Sequence, residues 1–501
     1  MFERGVVGIC VIGIMLGSAV GAFGQEGALT GREREVREAV ERLEKRVADL
    51  ESQVKELKGG SGAPAADVTA APAAPVETSP GQAPAAAPSA IEERVTKLEE
   101  VSQDNFRVFW KDGLRFESSD GDFKLRVGGR IFYDLAWFDQ DGRLKNSLGD
   151  EQNGLGFRTA RINLQGDIYR DYFFRLEYDL AGEKGPSGFT DTYIGMRNIP
   201  YAGRLTLGHF KEPFGLEELT NTSYTTFMEL ALPSAFDPAR NAGVMLNNAL
   251  GDEGAERLTW SVGAFKTTDN WPSVDDSDED QGWAVTGRVT GLPWYGEKGR
   301  KLFHLGAAYS RRDPDGATIN RYQIQPISEA RLSAFRWVTT EGFVPFRLQD
   351  ARADDVDLFG LESALVFGPF SMQGEYTRAR VETTFDSTED FDGYYVLASY
   401  FLTGESRAYD PGIGTFGRVR PARDFTLRGG PGAWEVAARY SRIDLNSGGV
   451  RGGRQANITL GLNWYLNANM RWMLNYVFAD IHHDLYSGDM DILQTRFQVD
   501  F

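Results

Sequence analysis

Lys124, Arg126 and Arg130 share one parity of a segment whose other parity, Leu125, Val127, Ile131 and Tyr133, is apolar. Arg161, Arg175, Arg288 and Arg439 repeat the pattern, each on the polar side of an alternating run. Guanidinium and ammonium groups held in rows on extended chain break no bonds. They attract anions and release them, and Arg or Lys rings around a pore favour anion passage as Asp or Glu rings favour cations. A second basic set, Arg407, Arg418, Arg420, Arg423 and Arg428, lies between residues 404 and 431, and Lys211 stands before another long connection. Arg158 has the apolar parity, which requires a place at a strand mouth or beside a bulge that re-aims it. Asp134, Asp167, Glu177, Asp179 and Glu435 share the polar parity. Arginines paired with those acids would brace a wall instead of serving ions, so two roles stay open for each.

Other chemistry finds little footing. The four histidines are His209, His304, His482 and His483, and His482-His483-Asp484 is only a weak metal-site pattern without further placed ligands. There is no phosphate-cradling GxxxxGKS/T loop and no Ser-His-acid set at an interpretable spacing. The chain reads as a non-enzyme with no cofactor, no resident metal and no nucleic-acid partner. The run Asp275-Asp276-Asp278-Glu279-Asp280 reads as a solvated surface, or as a divalent-cation bridge to lipopolysaccharide.

The elements that must position these cations are strands. From about residue 122 the chain is a series of alternating segments separated by turn-rich stretches, about sixteen in all. Many approach the ~9–11 residues of a tilted spanning strand. Phe174, Leu176, Tyr178 and Leu180 alternate with Arg175, Glu177 and Asp179; Leu493, Thr495, Phe497, Val499 and Phe501 alternate with Gln494, Arg496, Gln498 and Asp500. A charge facing lipid at mid-membrane costs about 2–4 kcal/mol, so the charged parity faces a wet lumen. Closure removes the sheet edges that hydrocarbon does not tolerate. The fold class is therefore all-β, a sixteen-stranded antiparallel transmembrane β-barrel over residues 121–501. Three connections are long: 212–240 and 313–355 at one end, 404–431 at the other. Loops beyond ~12–15 residues are usually functional or disordered, and folding inward would narrow the channel. A final strand ending in Phe also resembles the assembly signal of bacterial outer-membrane proteins.

Residues 1–24 read as a secretory signal peptide: Arg4, an apolar run from Val6 to Val20, then Ala22-Phe23-Gly24. The single cysteine, Cys10, lies inside it. Within residues 25–58, Val36, Val40, Leu43, Val47, Leu50, Val54 and Leu57 form a heptad seam, an N-terminal α-helical coiled coil expected in the periplasm. A lone amphipathic helix is the alternative. Residues 59–90 are an Ala/Pro-rich linker, and 91–120 a short helix and lead-in. The net charge of -18 does not exclude an anion path, because field focusing is local.

Leu207-Gly208-His209-Phe210-Lys211-Glu212-Pro213-Phe214-Gly215-Leu216-Glu217, Tyr394 through Glu405, Gly432 through Ser441 and Gly461 through Asn467 resemble the phosphate-selective porin O and P family. The resemblance covers the barrel and not the coiled coil. It implies a homotrimer in the outer membrane, in contact with lipid and lipopolysaccharide, with three connections folded into each lumen. It also implies cationic side chains that guide anions. A coil riding on such trimers would be three-stranded, although Val at a with Leu at d is the two-stranded pattern. Where phosphate-selective members have paired arginines before an aromatic, this chain keeps Arg158, has Thr159 for the second, and places Arg161 at the aromatic. Lysines of such members align with Phe173 and Ser223 here. The implied function is passive diffusion of small anions, phosphate-like oxyanions among them. The rivals are a general or differently selective porin for organic solutes, and a tether from outer membrane to cell wall through the coiled coil.

Overall fold

The computed structural model describes residues 106–181, 188–266, 282–314, 324–326, 329–333, 335–340 and 353–501. The signal peptide, coiled coil, linker and the 275–280 acidic run lie outside the described residues. A small hairpin comes first, β1 (Arg107–Trp110) and β2 (Leu114–Glu117). The barrel begins with β3 (Phe123–Gln140), β4 (Gly154–Ile168), β5 (Tyr172–Asp179), β6 (Phe189–Ile199), β7 (Gly203–Lys211), β8 (Arg240–Asp252), β9 (Ala255–Lys266) and β10 (Trp283–Gly296). It continues through β11 (Lys301–Asp313), β12 (Ala353–Phe367), β13 (Phe370–Thr383) and β14 (Thr388–Phe401). A two-residue pair, β15 (Tyr409–Asp410) and β16 (Thr415–Phe416), interrupts it before β17 (Ala433–Ser447), β18 (Val450–Asn467), β19 (Met470–His483) and β20 (Tyr486–Asp500).

Each barrel strand pairs antiparallel with the next, β14 with β17, and β20 returns to β3 from Met490↔Gln140 to Asp500↔Arg130. Sixteen strands close, as the alternation predicts. The polarity is inverted relative to a soluble sheet. Ile131, Trp137, Leu155, Phe157 and Ile162 are exposed on the outer face, while Arg130, Asp134, Arg288, Glu362 and Arg439 are buried inside. Hydrocarbon outside accepts the apolar parity, and only the lumen can hold the charges.

Closure is tight at its last rung. Gly129 and Phe501 exchange both backbone hydrogen bonds, 2.8 and 2.9 Å, and the Phe501 ring stacks on Trp110 at 5.9 Å. Below Phe501, β2 takes over as the neighbour of β3, pairing Leu114–Glu117 with Lys124–Val127. Residues 106–120, read from the sequence as a lead-in, thus prolong the seam as a hairpin turning at Asp112-Gly113, both with positive φ. That turn satisfies the Asp-Gly preference for such geometry.

At Gly128 an added Cβ would stand 2.6 Å from the Phe501 carbonyl oxygen and 3.0 Å from Asn163 Oδ1. Gly128→Val is expected to cost about 1–3 kcal/mol by overpacking and to lower the heat-modifiable, folded fraction on semi-native gels. Gly142→Ala, which meets nothing within 4 Å, should leave that fraction unchanged.

Candidate functional site

The connection between β7 and β8 folds inward and crosses the lumen. It opens with a single turn, α1 (Leu216–Leu219), whose first amides, Leu216 N–H and Glu217 N–H, donate to the Glu375 carboxylate of β13 at 2.7 Å each. Beyond it the backbone joins no ladder, and irregular chain at membrane depth persists only if protein satisfies its polar groups. The far wall does so. Arg471 donates to the carbonyls of Thr225 and Thr226 (2.7 and 3.0 Å), Gln498 to Ser223 (2.9 Å), and Arg439 to Glu229 (3.0 Å). Arg496 donates to the Met228 carbonyl and ion-pairs Glu229 at 2.6 Å and Asp134 at 2.7 Å. The other two long connections also turn inward. Glu329 meets Arg439 at 2.8 Å and Thr459 at 2.5 Å. From the opposite end, Arg288 donates to the Gly414 carbonyl, and the Phe416 amide to Thr220 Oγ1. Apolar clusters, among them Phe214, Leu232, Trp337, Val356 and Ile481, fill the side along β11–β20.

What stays open runs along β3–β9. A cavity of about 440 Å3 at mid-depth is lined by seven cationic side chains and four carboxylates. Arg158 reaches it because it is a bulge residue: Phe132 pairs with Thr159 and Tyr133 with Phe157, so the strand register skips Arg158. The bulge turns an apolar-parity position into the lumen, where Arg158 holds Glu229 at 2.8 Å. Arg161 spans Glu177 (2.9 Å) and Asp179 (2.7 Å); Arg175 meets Glu177 (2.7 Å) and Asp191 (3.6 Å). Arg240 holds Asp191 at 2.6 Å, and Arg130 bonds Asn221 at 2.6 Å beside Glu177. Lys211 pairs with Glu218 at 2.9 Å. The cations of this cavity are therefore largely matched by acids. Burial would push the Glu229 carboxyl up, but Arg158 and Arg496 outweigh it and hold it down to about 2.

Toward the short-turn end lies a vestibule of about 550 Å3, closed on one side by the β1–β2 hairpin. Here seven cationic side chains face two carboxylates. Arg107 and Lys124 share Glu117, and Arg197 pairs with Asp167. Arg126 and Arg115 donate only to carbonyls, those of Asp112 and Lys111, and Arg204 lies over the Phe173 ring. Among the described residues, Arg115, Arg126 and Arg204 make no ion pair with a carboxylate. A smaller cavity of about 220 Å3 shares Tyr193 and Arg204 with the vestibule, and Asp191 and Lys211 with the mid-depth cavity.

The structure thus divides the cations singled out from the sequence. Lys124 and Arg126 line the vestibule, and Arg130, Arg158, Arg161, Arg175 and Lys211 the mid-depth cavity. Arg288 touches the small cavity but is bound to Glu362 at 2.6 Å. Arg439, with a side chain 1% exposed, is sealed between Glu217, Glu329 and the Phe227 ring. Arg418 is held by Asp500 and the Ala468 carbonyl, Arg420 meets Asp112 at 2.6 Å, and Arg423 is exposed. Arg107, Arg115, Arg197, Arg204, Arg240 and Arg496 were not singled out; alternation with Leu205 and Leu207 was the available signal for Arg204. Of the histidines, His304 is buried between Tyr409 and Glu362, and His482 meets Asp480 at 2.9 Å. Among the described residues no cluster of three or more metal-ligating side chains occurs.

Residues 125–501 match the model of the family described as phosphate-selective porin O and P. The chain is 30% identical over 429 residues to Porin O of Pseudomonas aeruginosa, covering 78% of this chain and 91% of that protein. It is 28% identical over 472 residues to an uncharacterized protein of Caulobacter vibrioides, covering 92% and 90%. Among solved structures it is similar to the anion-selective porin from Comamonas acidovorans, at 16% identity and a TM-score of 0.46 over 76% of this chain and 100% of that one.

Breaking one side of a buried ion pair costs about 3–5 kcal/mol, so Arg496→Met should lower the denaturant midpoint of the folded barrel. Arg107→Ala, at a site whose side chain is 71% exposed, should leave that midpoint nearly unchanged. The Glu229 carboxyl lies below the ~4.3 of an unfolded glutamate. Its contribution to stability is therefore complete above about pH 5, declines below that, and is lost as pH falls through about 2, while the folded carboxyl itself stays ionised down to about that pH. Single-channel conductance should show no loop-release transition between pH 7 and 4.

Proposed function

The chain belongs to the phosphate-selective porin O and P family, and from that premise we propose that this outer-membrane porin passes small anions, phosphate-like oxyanions among them, by passive diffusion. The observation that carries the proposal is the vestibule, where seven cations face two carboxylates and three guanidiniums make no ion pair among the described residues. Such a field, confined by low-dielectric walls, raises the local anion concentration at the channel mouth. At mid-depth the seven cations of the cavity meet seven carboxylates (Asp134, Glu177, Asp179, Asp191, Glu218, Glu229 and Asp410), so the positive excess lies in the vestibule. That excess favours entry yet releases the ion, the balance that conduction requires. The short-turn end faces the periplasm in this reading, with the coiled coil on that side, and the barrel functions as a homotrimer.

The test is a reversal potential across planar bilayers in a KCl gradient, repeated with phosphate competing against chloride. The wild type should prefer chloride over potassium. Arg115→Gln combined with Arg126→Gln should lower that preference about threefold or more, because both charges sit within a Debye length of the ion path. A cation-preferring wild type would remove the proposal.

A further inference from the structure

Four aromatic rings run across the wall from the vestibule inward. Phe173, Tyr193, Phe210 and Phe265 meet edge to face in sequence, with centroids 6.1, 6.0 and 5.6 Å apart. Glycines make room for them: a Cβ at Gly195 would stand 2.2 Å from the Phe173 ring, and one at Gly243 2.4 Å from Phe265. The rings therefore lie against the neighbouring strand backbone instead of standing across the channel. The Arg204 guanidinium sits over Phe173 with Cζ 3.8 Å from the ring centroid, and Arg197 approaches the same ring at 5.2 Å. Arg204 Nε is buried without a hydrogen-bond partner. Facing them from the hairpin, Arg107 lies over Phe109 at 4.5 Å.

This arrangement suits one class of anion better than another. A tetrahedral oxyanion is held by guanidinium forks aimed at its oxygens. A guanidinium laid on a ring instead offers a flat face, on which a second conjugated plane can stack. A hydrated inorganic ion passing an aromatic wall gives up water there and gains no new partner. A planar organic anion gains a stacking contact and still finds cations for its charge.

We propose that the vestibule binds and admits planar organic anions, aromatic carboxylates as the class, with the ring stacked at Arg204 against Phe173 and Tyr193 and the carboxylate on the uncompensated cations of the same cavity. The proposal rests on the anion-pore reading and narrows its substrate class.

Benzoate and cyclohexanecarboxylate separate stacking from charge, since both are monoanions of similar size and only one is planar. Each is titrated against the chloride current of the purified full-length protein in planar bilayers. Benzoate should block at about tenfold lower concentration than cyclohexanecarboxylate, as one added aromatic contact of ordinary strength implies. Phe173→Leu, which keeps apolar volume, and Arg204→Lys, which keeps charge, should each bring that ratio toward one. Should either variant fail to form the barrel, the ratio is read from the other. Equal block by the two acids in the wild type, or a ratio untouched by the substitutions, would overturn the assignment. The wild-type reversal potential is recorded in the same membranes. Cation preference there would defeat the underlying anion reading and this proposal with it, whereas anion preference with equal block defeats this proposal alone.

Discussion

Each lumen arginine has a fixed set of donors, and the carboxylates and carbonyls already holding them decide what it can still do. Arg496 is spent: it holds Asp134, Glu229 and the Met228 carbonyl, and with Arg439 and Arg471 it ties the crossing connection to the far wall. Arg115, Arg126 and Arg204 are not spent on acids. Parity places five of them on the wet side of the wall, and Arg115 reaches the vestibule from the β1–β2 hairpin. Pairing gives the first three to architecture and leaves the second three to passing ions.

The inward connections follow from the same accounting. A stretch such as Ser223–Glu229 has no ladder to join, and each unsatisfied carbonyl inside a barrel would cost free energy comparable to a lost hydrogen bond. The wall of β17–β20 supplies donors opposite it, and apolar residues such as Phe227 and Trp337 fill what remains on that side. The lumen is consequently filled on one side and open on the other, with the open strip along β3–β9 lined by the vestibule and mid-depth cavities.

Strand alternation made the barrel and its inverted polarity legible, because a one-residue period switch would put Arg130 or Glu177 in lipid. It also made Arg158 legible as an anomaly, and the bulge opposite Phe132–Tyr133 resolves it. The pairing state of each arginine was not legible. Asp134 and Arg496 are 362 residues apart in the chain, and Glu217 and Arg439 are 222 apart, so no local pattern couples them. The β1–β2 hairpin carried a local signal in Asp112-Gly113. Its strands of four residues are too short for alternation alone to announce.

If uncompensated vestibule charges set selectivity through their open field, selectivity must weaken as salt screens that field, since the Debye length falls from about 30 Å at 0.01 M to about 3 Å at 1 M. The chloride-to-potassium permeability ratio measured across that range is the most direct test. The structure predicts a ratio well above one in dilute KCl that declines toward one in molar salt. A ratio independent of salt would contradict it, placing selection instead in direct contact with the paired arginines at mid-depth.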